Sequence, residues 1–253
     1  MIKTRIIPCL LLKGRGLVKT IKFKDPTYVG DPLNAVRIFN EKEVDELIFL
    51  DITASGEKRG PQFDLIGNIA TECFMPFCYG GGIKTVEDIK KLFFLGAEKV
   101  SINSYAIENP SFIRKATDIF GSQSIVTAID VKKNLFGKHK VYNGSLKKMT
   151  ALDPVSFAVE LATMGAGEIL LNSVDRDGTF EGYDIDLIKS VSGVVNIPVI
   201  ACGGAGKVGD FARAVKEGGA SAVAAGSMMV FHGKHKAVLI SYPAMDELEQ
   251  LVP

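Results

Sequence analysis

The stretch Met75–Lys84, MPFCYGGGIK, decides the architecture. A proline opens it, three apolar or aromatic residues follow, and three glycines close it. It is too short and too uniformly apolar for an amphipathic helix. It reads as a strand buried on both faces that runs into a loop. The pattern returns at Ile197–Gly206, IPVIACGGAG, with Gly81 and Gly82 falling on Gly203 and Gly204 at an offset of 122. Working outward, six more short apolar runs complete the set: Arg5–Leu12, Glu46–Ile52, Lys99–Asn103, Ile125–Val131, Glu168–Ser173 and Ala222–Ser227. With Pro76–Gly82 and Pro198–Gly204 they make eight strands.

Helical patterns separate several of these runs: Asp31–Glu43, Val86–Leu95 behind Thr85, Pro154–Met164 behind Asp153, and Gly209–Val215 running out at Gly218-Gly219. Strand alternating with helix predicts right-handed parallel crossovers. Eight such units in 253 residues fit an α/β fold, the (β/α)8 TIM barrel. The alternative, an open doubly wound sheet, usually carries a GxGxxG fingerprint after its first strand. Here that strand runs into Leu12–Gly16, LKGRG. The repeats continue beyond the glycines. Glu46–Asp51 (ELIFLD) falls on Glu168–Ser173 (EILLNS), and Ile6–Lys13 falls on Ile125–Lys132. The chain therefore reads as two half-barrels, about 1–122 and 123–253. Neither half could bury its sheet alone, so one domain spanning 1–253 is expected.

Composition excludes several classes. The chain is 47% apolar and 23% charged, with 30 basic and 29 acidic residues for a net charge of +1. That balance gives no electrostatic case for gripping nucleic acid or an anionic membrane. No run approaches a membrane span, and Met1–Arg5 followed by Lys13 and Arg15 does not read as a secretory leader. A cytoplasmic enzyme or small-molecule binder is expected. The cysteines, Cys9, Cys73, Cys78 and Cys202, form no C-x-x-C pair and read as reduced thiols. His232 and His235 read as a solvated segment rather than a metal pair, and no metal site is expected.

Chemistry in such a barrel sits at the C-terminal ends of the strands. Gly204 and Ser227, after strands 7 and 8, suit a phosphate, because backbone N–H groups approach an anion closely where no Cβ intervenes. The repeat supplies a second seat from Gly82, Asn103 and Ser104. Two seats across one mouth suit a long substrate with a phosphate at each end. The plainer reading of these glycines is tight turns. Asp130 ends an otherwise apolar strand, where burial would raise its pKa and suit it to proton transfer; a loop-capping role is the alternative. Its repeat mate is Leu11, so no second acid faces it from the other half. Asp51, Asp177 and Lys19 are the other groups able to assist. At the opposite end, Arg5, Glu46, Lys99 and Glu168 all start strands. They predict a paired charge ring at the barrel floor, either a stabilising plug or a gate over an axial passage.

These residues resemble the HisF family, the cyclase subunits of imidazole glycerol phosphate synthase. The resemblance runs over nearly the whole chain. It includes RIIPCL, Asp45–Arg59, GGGI, AEKVSIN, ENPS, FGSQ, AID, GAGEILLNSVDRDGT, GYD and GGAGK. It implies a (β/α)8 barrel that needs no cofactor. Ammonia comes from glutamine through a glutaminase docked at the floor, and passes along the axis to a bis-phosphorylated substrate that is cleaved and cyclised. It makes Arg5, Glu46, Lys99 and Glu168 the ammonia gate and Asp130 a catalytic aspartate. Gly82, Asn103, Ser104, Gly204 and Ser227 become phosphate positions, and Asp51 and Asp177 substrate contacts.

Two positions depart from the family pattern. The family's strand-1 catalytic aspartate falls on Leu11, within a Leu10–Thr20 stretch that keeps Lys19, and Cys202 stands where serine is usual. Loss of one acid implies weak cyclisation. The Leu10–Thr20 stretch resembles a paralogous branch that amidinates a sugar in surface-polysaccharide synthesis. The expected function is thus an ammonia-using synthase subunit acting on a phosphorylated or nucleotide-linked substrate, most closely that paralogue. The alternatives are a histidine-pathway cyclase, a sugar-phosphate isomerase of the same lineage, or a non-catalytic scaffold.

Overall fold

The computed structural model describes residues 4–244 and 246–248. Eight parallel strands form the expected barrel: strand 1 (Arg5–Lys13), strand 2 (Leu47–Asp51), strand 3 (Phe77–Gly80), strand 4 (Lys99–Ile102), strand 5 (Ile125–Lys133), strand 6 (Glu168–Ser173), strand 7 (Val199–Cys202) and strand 8 (Ala222–Ala225). Each pairs with its sequence neighbour, and strand 8 closes on strand 1 through Arg5↔Ala222 to Pro8↔Ala225. The junction of the halves, strand 5 with strand 6, runs unbroken from Glu168↔Val126 to Ser173↔Val131.

The strands read as continuous apolar runs because both faces are covered. Outward residues such as Leu10, Phe49, Ile129 and Val223 join the helices in one large core. Inward residues form a second, smaller core: Ile7, Cys9, Ile48, Cys78, Val126, Ala128, Leu170, Ile200, Ala222 and Ala224. The period of two sets the layers. Along strand 1, Arg5, Ile7, Cys9 and Leu11 point inward in turn; along strand 5, Val126, Ala128 and Asp130 do. Leu11 and Asp130 therefore stand at matching heights on the first strands of the two halves.

Caps place the helices. Asp31 accepts from Leu33 and Asn34 ahead of helix Pro32–Glu41. Thr85 and Asp88 form a capping box on Val86–Phe94, and Asp153 caps Pro154–Thr163. Helices Phe63–Glu72, Ser111–Phe120 and Ile185–Ser192 fill crossovers whose patterns were not singled out from sequence. The sequence reading also left out two antiparallel excursions. Strand 1 continues into the hairpin Gly16–Ile21/Lys24–Gly30, and strand 5 into His139–Asn143/Lys148–Met149. Each half thus carries one hairpin over the mouth.

All four cysteines are free. His232 and His235 are exposed, and no cluster of metal-ligating side chains occurs among the described residues. No described helix is long and apolar enough to cross a membrane.

Candidate active site

The floor is a closed ring of charge. Arg5 donates to Glu46 Oε2 at 2.5 Å and to Glu168 Oε1 at 2.8 Å. Lys99 Nζ bridges the same two carboxylates at 3.1 and 3.2 Å. Cations and anions alternate around the axis, so each charge meets two opposite ones. Burial opposes the Arg5 charge, but Glu168 and Glu46 outweigh it and raise its pKa. The ring follows from register, since all four side chains occupy the lowest inward layer of their strands.

The mouth holds a cavity of about 930 Å³ lined by the ends of all eight strands. Asp130 lies in its wall, 8% exposed. Asn103 Nδ2 donates to its Oδ2 at 2.7 Å and Asn172 Nδ2 to its Oδ1 at 3.2 Å. Burial pushes its pKa up to about 7; the two amides pull it down and Asp177 pushes it up again. A carboxyl poised near neutrality can both give and take a proton. Leu11 lines the same cavity.

Lys19 comes from the strand-1 hairpin and turns down into the barrel, 5% exposed, donating to the carbonyl of Cys9. Burial lowers its pKa, while Cys9, Asp177 and Cys202 work the other way. Asp177 holds the hairpin in place. Thr20 Oγ1 donates to its Oδ2 at 2.8 Å, and Lys22 N to its carbonyl at 2.9 Å. The approach is close: a Cβ on Gly178 would lie 2.2 Å from the Thr20 carbonyl. Burial raises the Asp177 pKa, which Thr20 and Lys19 offset in part. Phe23 at the hairpin turn meets Tyr142 of the second hairpin edge-on, with centroids 6.2 Å apart. The two hairpins touch above the mouth.

Asp51 also lines the cavity, but its oxygens are fully engaged. Arg59 reaches both, at 2.8 and 2.9 Å. Gln62 donates at 2.9 Å, and the Thr53 and Ala54 amides at 3.1 Å each. Burial works against its charge, yet these donors hold its pKa below the ordinary carboxylate range. These contacts order the Ile52–Arg59 loop.

The remaining sequence candidates gather in two places. Gly82, Asn103 and Ser104 line one side of the cavity, and Gly204 and Ser227 line another. Ser104 opens the short helix Ser104–Glu108, and Ser227 opens the turn Ser227–Met229. Gly82 and Gly204 have φ of +74° and +113°, and a Cβ at Gly204 would lie 2.2 Å from the Gly182 carbonyl. Only glycine fits there.

Known proteins are similar to this chain in sequence. Residues 5–236 match the family model described as histidine biosynthesis protein. The chain is 55% identical over 249 residues to "Putative imidazole glycerol phosphate synthase subunit hisF2" of Pseudomonas aeruginosa, covering 98% of this chain and 99% of that protein. The chain belongs to the HisF family. Another relative, "Imidazole glycerol phosphate synthase subunit HisF" of Alkaliphilus metalliredigens, is 48% identical over 232 residues, 92% of this chain and 91% of that one. A hisF3 protein of Vibrio vulnificus, named as a subunit in the same way as the Pseudomonas protein, is 50% identical over 248 residues, 98% of this chain and 95% of that one.

Within this HisF-family chain, sequence reasoning missed Asn172, Arg59, Gln62 and Tyr142. Asn172 had a usable signal: it is an inward polar residue two places above Leu170 on a buried strand. Arg59 and Gln62 lie in a loop with no periodicity, and Tyr142 in a hairpin that alternation alone did not separate from a loop.

Proposed function

We propose that the chain is a synthase subunit that receives ammonia through its floor from a glutaminase and delivers it to a phosphorylated or nucleotide-linked acceptor at its mouth. The closed ring Arg5–Glu46–Lys99–Glu168 carries this reading. Two cations and two anions placed in the lowest layer of a barrel are dearly desolvated for a plug, and suit a gate that a partner opens by shifting one side chain. The surrounding rim supports docking. Phe74 is 86% and Phe94 87% exposed, and Ile119 and Val194 are about half exposed, all in segments that lead into strands at the floor. Large apolar side chains left in water around one end of a molecule favour a protein partner.

The acceptor follows from the mouth. The twin glycine seats suit phosphates, and Lys19 and Asp177 suit the substrate between them. Leu11 removes the second acid that cyclisation of the histidine-pathway bis-phosphate would use. The acceptor we favour is therefore a sugar to be amidinated in surface-polysaccharide synthesis, in the cytoplasm, with no resident cofactor or metal. The second reading is cyclisation to imidazole glycerol phosphate. It is favoured by Asp130, whose pKa of about 7 suits general acid–base work.

The test supplies the purified chain with ammonium and the histidine-pathway bis-phosphate. Imidazole product at rates ordinary for the family overturns the amidination reading. Its absence, together with ammonia-dependent conversion of a nucleotide-linked amino sugar, supports it. Stable association with a glutaminase separates both from an isomerase.

A further inference from the structure

Lys19 is a buried lysine whose one neighbouring carboxyl, Asp177, is itself buried and makes no hydrogen bond to it among the described residues. Its side chain is 5% exposed, and its one hydrogen bond among the described residues runs to a backbone carbonyl, that of Cys9. A lysine bent into a barrel would ordinarily find a carboxylate. The nearest inward residue at the mouth end of strand 1 is Leu11, and Asp177 is occupied with Thr20. The surroundings are the two thiols Cys9 and Cys202, the small residues of strand 8, and Gly226. A Cβ on Gly226 would lie 2.5 Å from the Lys19 Nζ, so the amine is seated in space that a glycine keeps clear. The site faces the cavity that Asp130 faces. Among the described residues, the titratable groups that act on it are Cys9, Asp177 and Cys202. Desolvation of an ammonium in such a setting favours the neutral amine, the nucleophilic form.

We infer that Lys19 is a carbonyl-binding residue that forms an imine with a keto or aldehydo group of a phosphorylated acceptor. The Nζ lone pair adds to the carbonyl carbon, and a proton passes from nitrogen to oxygen. The carbinolamine then loses its hydroxyl as water, with Asp177, whose protonated form burial favours, supplying the proton, and leaves an iminium ion. This rests on the function proposed above only for the supply of ammonia and goes beyond its amidination reading, because an amidine forms at an amide carbon and lysine forms an imine with a ketone or aldehyde. Ammonia arriving along the axis attacks the iminium carbon, a proton passes from the new nitrogen to Nζ, the bond to Nζ breaks, and lysine leaves as the free amine while the acceptor keeps the new nitrogen as an imine. An iminium carbon is more electrophilic than the parent carbonyl. The lysine would thus supply activation that residue 11, as leucine, cannot.

The experiment is reductive trapping. The full chain is incubated with dihydroxyacetone phosphate and cyanoborohydride near pH 7.5, and the adduct is located by peptide mass. One reduced ligand per chain at Lys19 is expected. Lys19→Met and Lys19→Arg should each lower it about tenfold or more. Gly226→Ala, which keeps the lysine but fills its seat, should lower it too, with thermal unfolding of all three variants checking the fold. Lys19→Arg preserves the positive charge, so a lysine that merely grips phosphate would leave ligand binding intact and give no adduct in the parent chain. No adduct, or one spread over surface lysines and unchanged in Lys19→Met, overturns the inference. The trap uses neither ammonia nor glutaminase, so its failure removes the imine and leaves the ammonia reading standing.

Discussion

Strand 1 and strand 5 are the same structural object with different chemistry at the tip. Both have nine residues, both open a half-barrel, and both continue into a hairpin over the mouth. At the matching inward position one ends in Leu11 and the other in Asp130. The scaffold has no need of the acid. Leu11 packs at the edge of the inner core at no electrostatic cost, whereas Asp130 is held against burial that pushes its pKa to about 7. Two asparagines from strands 4 and 6 are committed to that carboxyl. A costly group kept by two dedicated partners is a candidate for function, and its apolar twin carries no comparable cost.

The largest effect should come from removing the costly member. Asp130→Asn keeps the shape and can still bond to one asparagine, but it cannot transfer a proton. Turnover should fall by about 10² to 10⁴. The unfolded-state pKa of an aspartate is near 3.9 and the folded one is raised. Asp130 therefore favours folding only in its protonated form, a contribution lost as pH rises toward 7. At pH 8 the variant should unfold no earlier than the parent. A titration near pH 7 in the parent's rate profile should vanish in the variant. Turnover within twofold of the parent would remove Asp130 from the mechanism.

Restoring symmetry is the converse. Leu11→Asp puts a carboxyl opposite Asp130 and within the neighbourhood of Lys19. Imidazole glycerol phosphate formation from ammonium should rise by about tenfold or more, while trapping at Lys19 declines as the new carboxylate favours the ammonium. No gain would mean that residue 11 is not what sets the acceptor. At the other end of the same two strands, Arg5→Met opens the ring between Glu46 and Glu168. Glutamine-driven turnover should drop by about tenfold relative to ammonium-driven turnover, since only the former depends on the gate. The ring's side chains are only 4% to 28% exposed, so the variant should lose about 3 kcal/mol of stability. Equal changes in both rates would make the ring a plug.

The scaffold was legible in the sequence because its signals are local and repeated. Eight apolar runs, glycine stops and repeat offsets of 119 to 122 specify the barrel, and the period of two then turns Arg5, Glu46, Lys99 and Glu168 inward at the floor. Asp130 stood out for the same reason, as a charge on an apolar strand. What stayed hidden depends on partners far apart in the chain. Asp51 reads as a site residue, but its bonds to Arg59 and Gln62 could not be read from the sequence. Lys19 reads as a group able to assist, but that its hairpin buries it in the barrel depends on the fold. The hairpins carry polar residues on both faces, so alternation separates them poorly from loops.

The hairpins extend the comparison. Both are tied down by an aspartate following strand 6, with opposite electrostatics. Asp177 holds the first through neutral donors, Thr20 and backbone amides, and burial raises its pKa. Asp184 holds the second through His139 at 3.1 Å and Lys133 at 3.5 Å, and also caps helix Ile185–Ser192 at Leu187 N. Burial opposes its charge, but His139 and the Leu187 amide outweigh that and set its pKa at about 2. The signs follow. A lowered acid stabilises the fold above its unfolded pKa, and the contribution disappears as pH falls toward 2. A raised acid stabilises only below its unfolded pKa, and the contribution is lost as pH rises. Asp184→Asn should therefore cost about 1 kcal/mol at pH 7, after screening of a partly exposed pair, and nothing near pH 2. Asp177→Asn, which keeps an acceptor for Thr20 and removes a disfavoured charge, should cost nothing at pH 8. Paired urea melts at the two pH values measure both. Equal losses for the two variants at neutral pH would show that the hairpins are anchored by the same force, and that charge at these tethers is incidental.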